Sequence, residues 1–92
     1  MNRETRVTMR DGVMFNRAGE EIVLLDLDSG TYYGLDEVGG RLWELITGTS
    51  TVGEAIDTML GEYEVQRDVL ERDVFRLLAE LEEKGLISGT RP

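Results

Sequence analysis

The segment Ile22-Val23-Leu24-Leu25-Asp26-Leu27-Asp28-Ser29-Gly30-Thr31-Tyr32-Tyr33-Gly34-Leu35 reads as two strands joined by a turn. Ile22 to Leu27 is apolar at odd and even positions alike, the pattern of a central strand covered on both faces. Asp28-Ser29-Gly30 is a turn triplet in which Gly30 can take positive φ without penalty. Thr31 to Leu35 holds the β-branched and aromatic residues that strands favour. So short a link makes the pair an antiparallel hairpin. No later strand is long enough to cover the far side of 31–35, which is therefore expected at a sheet edge.

Upstream, Arg6-Val7-Thr8-Met9-Arg10 alternates polar and apolar residues, as a half-buried strand does. Asp11-Gly12 marks a turn, Val13-Met14-Phe15 resumes extended character, and Arg17-Ala18-Gly19-Glu20 turns again. Downstream the period becomes helical. Asp36 is placed to N-cap a helix with Val38, Leu42, Leu45 and Ile46 on one stripe and Trp43 beside it. Gly39-Gly40 weakens this helix by about 1 kcal/mol per glycine, a cost that close packing against the sheet would explain. Gly48 is its expected end. Thr51-Val52-Gly53-Glu54 fits a capping box, and Val52, Ala55, Ile56, Met59, Leu60 and Tyr63 continue a second helix. Asp68 with Glu71 marks the start of a third, running to Lys84 before Gly85 as C-cap. Leu86-Ile87-Ser88 can add a short strand or pack down. The expected fold is α+β and winged-helix-like: a three-stranded antiparallel sheet followed by three helices, in one domain over residues 1–92.

The 92 residues carry 19 acidic and 10 basic side chains, a net charge of −9, with 40% hydrophobic residues. That is apolar enough for a core and too polar for a membrane protein. No signal-peptide segment opens the chain, and it reads as cytoplasmic with no membrane partner. The acidic balance repels phosphate backbones, which argues against nucleic acid as a partner.

Catalytic chemistry is poorly supplied. Cysteine and histidine are absent, removing thiolate nucleophiles, disulfides, the usual general base near neutral pH and the commonest metal ligand. Asp26, Asp28 and Gly30 echo a calcium loop, but the glycine is misplaced and no glutamate closes the loop. The turn reading is preferred, and no metal or cofactor is expected. Asp26 and Asp28 as an acid–base pair lack any nucleophile or histidine to work with. No phosphate-binding glycine motif occurs, and Ser29, Ser50 and Ser88 have no base to activate them. The chain is expected not to be an enzyme. A DNA-reading role for the third helix fails on charge, because residues 67–84 hold four basic and six acidic side chains.

Two surfaces remain. An edge strand at 31–35 would present unpaired N–H and C=O groups, and it contains none of the lysine or proline that usually blunts an edge. An extended peptide could add there as a further strand. On a wheel centred on Leu70, the core residues Val74, Leu77, Leu78 and Leu81 span about −20° to 80°. Phe75 at about 140° and Val69 at about −100° fall outside that arc and are contact candidates.

The residues from Leu24 to Leu45, LLDLDSGTYYGLDEVGGRLWEL, resemble the signature of PqqD-like proteins. The similarity continues through Thr51-Val52, Tyr63, Asp73-Val74, Leu78-Ala79-Glu80-Leu81 and Lys84-Gly85-Leu86-Ile87. One departure is Asp36, where the family often has asparagine; both residues cap a helix. The resemblance implies a RiPP recognition element, a module holding the leader of a ribosomally made precursor as an extra strand beside the third helix. Carried over, the strand is 31–35 and the helix 68–84, the two surfaces picked out above, and the candidate contacts are Thr31, Tyr32, Tyr33, Gly34 and Leu35 on the strand with Val69, Asp73, Phe75, Arg76 and Leu78 on the helix. The chain looks most similar to the free-standing leader-binding proteins of lasso peptide pathways, whose partner is a leader protease. A PqqD-type chaperone for a radical SAM enzyme in pyrroloquinoline quinone synthesis is the alternative, followed by a small winged-helix regulator.

Overall fold

The computed structural model describes residues 1–48 and 50–90. Four strands precede three helices, and a fifth strand closes the chain. The strands are β1 (Arg6–Met9), β2 (Val13–Ala18), β3 (Glu21–Asp26), β4 (Tyr32–Leu35) and β5 (Ile87–Thr90). The helices are α1 (Glu37–Ile46), α2 (Val52–Glu62) and α3 (Arg67–Glu83). The main sheet has the order β2-β3-β4, all antiparallel, so the 22–27 and 31–35 segments form the expected hairpin. Its turn is locked locally: Asp28 N–H donates to Asp26 Oδ1 at 3.0 Å and Gly30 takes φ 73°.

The two N-terminal segments do not share a sheet. Gly12 at φ 86° turns the chain so that β2 joins the main sheet while β1 pairs with β5, Met9 opposite Ile87 and Val7 opposite Gly89. Leu86 and Ile87 are buried, and their packing carries β5 onto β1.

β3 is central in hydrogen bonding, but only one of its faces is fully covered. Ile22 and Leu24 are buried against the helices, whereas Val23 and Leu25 on the other face are only half-buried. Their cross-strand neighbours Met14 and Tyr32 are exposed. The apolar run therefore overstates the coverage of this strand.

α1 starts at Asp36, whose side chain accepts from Gly39 N–H at 2.8 Å, and it buries Leu42, Trp43 and Ile46. Gly40 lies directly over β3, where an added Cβ would meet Ile22 Cγ1 at 3.3 Å. Val38 is not core; it is 42% exposed. The helix ends at Thr47, which returns both its N–H and its hydroxyl to Trp43 O, ahead of Gly48. α2 carries the full capping box between Thr51 and Glu54. α3 begins one residue before Asp68, with Gln66 as N-cap. It stops at Gly85 (φ 77°), where Gly85 N–H donates to Glu82 O and Leu86 N–H to Leu81 O, a Schellman stop. Among the described residues no helix is long and apolar enough to cross a membrane.

Candidate functional site: a free strand edge above a groove

The register of β4 decides which of its backbone groups are free. Asp26 N–H donates to Thr31 O at 2.9 Å, so these two residues form a hydrogen-bonded pair. Antiparallel ladders alternate hydrogen-bonded and non-hydrogen-bonded pairs. Leu24–Tyr33 and Ile22–Leu35 are then hydrogen-bonded pairs, while Leu25–Tyr32 and Val23–Gly34 are not. On the other side of β3, Leu27 N–H donates to Gly12 O at 2.8 Å, the same phase seen from the opposite edge. The N–H and C=O groups of Tyr32 and Gly34 therefore point away from β3. Among the described residues no strand lies on that side. The surface around Gly34 is open, since a Cβ built there would meet nothing within 4 Å.

Side chains of β4 alternate between the two sheet faces. Tyr33 and Leu35 stand opposite the buried residues Leu24 and Ile22, so they point toward the helices. Leu35 is buried. Tyr33 reaches α3, where its phenol donates to Glu80 Oε1 at 2.9 Å and Lys84 Nζ sits 5.6 Å from its ring centroid. Burial first, and then Glu80, push the Tyr33 phenol above its ordinary pKa.

Between β4 and α3 lies a groove of about 610 Å³. From α3, Leu70, Val74 and Leu77 form an apolar floor at i, i+4 and i+7, and Asp73, Arg76 and Glu80 form a polar rim. Asp73 Oδ1 and Arg76 Nη2 are 3.3 Å apart on that rim. From α1 come Val38 and Gly39, and the link between α2 and α3 adds Tyr63, Glu64 and Val65. An edge with free backbone groups above an apolar trench suits an extended chain with alternating side chains. The same groove holds no histidine or cysteine, the residue types absent from the whole chain.

Of the ten residues nominated from sequence, the groove brings together Tyr33, Gly34, Leu35, Asp73 and Arg76. Thr31 lies in the turn before β4, with its carbonyl already used by Asp26 N–H. Tyr32 offers backbone groups to the edge, but its side chain is 77% exposed on the opposite sheet face. Val69 is half-buried on the first turn of α3 and is not part of the lining. Leu78 is fully buried in the core. Phe75 packs against that core outside the groove. Phe75 and the groove lie on different sides of the α3 stripe. The groove occupies the arc of α3 running from the core stripe through Leu77 to Asp73, Glu80 and Arg76, at negative wheel angles, whereas Phe75 lies beyond the stripe's positive edge. The sequence reading puts Leu77, Tyr63 and Val38 on apolar helix stripes and gives Glu80 no part in the site. The usable signal was the acidic and basic residues at i, i+3 and i+7, Asp73, Arg76 and Glu80, flanking Leu77.

A family model described as coenzyme PQQ synthesis protein D (PqqD) matches residues 21–87, from β3 through the first residue of β5. The chain belongs to the PqqD family. Two solved structures extend this likeness to nearly the whole PqqD-family chain. One is TbiB1 in complex with the TbiA(beta) leader peptide, 38% identical, covering 92% of this chain and 99% of that one, with a TM-score of 0.85. The other is a lasso peptide synthetase B1 complexed with the leader peptide, 27% identical, covering 92% and 98%, with a TM-score of 0.81. Among curated proteins no significant match was found. The fold of this PqqD-family chain is thus that of the two B1 proteins, and the matched family span of residues 21–87 includes both β4 and α3.

Proposed function

We propose that this protein is a non-catalytic binder of the leader segment of a ribosomally made precursor peptide. The leader adds as a strand to the free edge of β4 beside α3, and the precursor passes to a separate processing enzyme, a leader protease of a lasso peptide pathway. The observation carrying this reading is the edge itself: the N–H and C=O groups of Tyr32 and Gly34 point outward from β4, the strand that walls the same groove as the apolar residues Leu70, Val74 and Leu77. The full-length likeness to two B1 proteins, both solved with leader peptides, supports lasso biosynthesis over a chaperone role in pyrroloquinoline quinone synthesis.

The test is a titration of the purified chain with the leader of its precursor peptide, followed by fluorescence anisotropy. Gly34→Pro deletes one outward N–H donor and leaves the β3 ladder intact. It is expected to weaken binding about tenfold, or 1.4 kcal/mol, with circular dichroism and melting like the parent. Parental affinity in a folded Gly34→Pro protein would place the leader elsewhere. Cleavage of the precursor by this chain alone, with no protease added, would overturn the non-catalytic assignment.

A further inference from the structure

The groove is electrostatically lopsided along its length. At the Tyr33 end the charges balance: Glu80 accepts from the Tyr33 phenol and Lys84 sits over its ring, while further along α3 Asp73 and Arg76 face each other at 3.3 Å. At the other end, past Leu35, the wall is the half-buried ring of Tyr63 with Val65 and Val38. Four carboxylates gather at that mouth: Asp36 and Glu64 line it, Glu37 follows Asp36 as the first residue of α1, and Glu62 ends α2 next to Tyr63. Arg41, on α1 beside this mouth, is already held by Glu62 at 2.7 and 2.8 Å. Glu37 and Glu64 have no ion-pair partner among the described residues.

Carboxylates lacking a counterion beside an aromatic face attract an ammonium or guanidinium group on two counts, Coulombic and cation–π. We propose that the peptide taken by this groove is basic at one end, with a lysine or arginine where it passes Leu35 and Asp36, its cation meeting Glu37 and Glu64 against the Tyr63 ring. The inference rests on the strand-addition reading and adds to it a sequence requirement and a polarity. An occupant with its basic residue at the Tyr33 end would meet Lys84 beside Glu80 instead, with no unpaired carboxylate there among the described residues to receive it.

The experiment selects short random peptides displayed on phage against the intact protein, with Gly34→Pro as the counter-selecting arm. Peptides that need the β4 edge are expected to carry lysine or arginine concentrated toward one end. The best of them, made synthetically, should bind a Glu37→Gln, Glu64→Gln double variant about fivefold more weakly, the scale of two exposed charge pairs. Its affinity for the parent should fall with added salt more steeply than for the variant. Edge-dependent peptides with no basic bias, or equal affinity for the double variant, overturn the charge inference and leave strand addition standing. If no peptide distinguishes the parent from Gly34→Pro, strand addition fails and this inference fails with it.

Discussion

Tyr33 crosses from the edge strand to the third helix and donates its phenol hydrogen to Glu80 Oε1 at 2.9 Å, closing one end of the groove. With Lys84 over the same ring, this contact sets the spacing between the edge that would receive a peptide strand and the helix that would receive its side chains. A raised phenol pKa means the folded state holds its proton more tightly, so the stability it contributes is complete below the ordinary value near 10 and is lost as pH rises through the folded value. Glu80→Gln should lower the Tyr33 pKa without abolishing the shift, because burial is the larger cause. The ring's chemical shifts followed against pH measure this. An unchanged titration in Glu80→Gln would mean that the phenol does not use that carboxylate in solution.

The register of β4 separates two neighbouring proline substitutions. Tyr33 N–H lies in the hydrogen-bonded pair with Leu24, so Tyr33→Pro breaks the ladder and removes a ring packed on the core. It should cost about 3 kcal/mol or more and lower the melting temperature sharply. Gly34→Pro alters only the outward side and should melt within about 1 kcal/mol of the parent. Equal destabilisation by both, in chemical denaturation, would show that the pairing is shifted by one residue.

Phe75 and Leu77 should part company in the same way. Phe75→Ala removes an aromatic packed on the core outside the groove, so it should lower stability by about 1–3 kcal/mol and leave the affinity of the folded protein for leader unchanged. Leu77→Ala takes apolar surface from the groove floor and should weaken leader binding severalfold, by about 1 kcal/mol, the scale of the apolar area lost. Affinity and denaturation midpoints measured on both variants settle it. A binding loss confined to Phe75→Ala would put the peptide on the opposite flank of α3.

Asp57 on α2 gathers two arginines, Arg67 at 3.0 Å and Arg3 at 3.0 Å, and they hold its carboxyl below the usual carboxylate range. A depressed carboxylate contributes stability that is present above the ordinary value near 4 and disappears as pH falls through the folded value. Asp57→Asn should therefore lose less stability than the parent between about pH 5 and pH 2. Parallel acid dependence of the two proteins, by urea denaturation at each pH, would leave this cluster without a role in acid stability.

Local chemistry alone determined the hairpin, the caps and the absence of histidine and cysteine chemistry. Asp28-Ser29-Gly30 turns because Asp26 and Gly30 satisfy it within a few residues, and Thr51 with Glu54 caps α2 by the same short-range logic. The edge position of 31–35 was expected from the sequence for want of a long later strand, but β5 is as long as β4, and the edge stays free because β5 pairs with β1. Tertiary structure decided everything that depends on direction between distant elements. The pairing of β1 with β5 joins segments some 80 residues apart, and no local pattern in Arg6–Met9 names Ile87 as a neighbour. The outward phase at Tyr32 and Gly34 came from one hydrogen bond, Asp26 to Thr31, since strand alternation has two phases that a sequence does not distinguish. The arc of α3 that faces the groove was settled by where the sheet edge lies. Phe75 and Glu80 flank the same apolar stripe on opposite sides, and a helical wheel has no way to say which side meets β4.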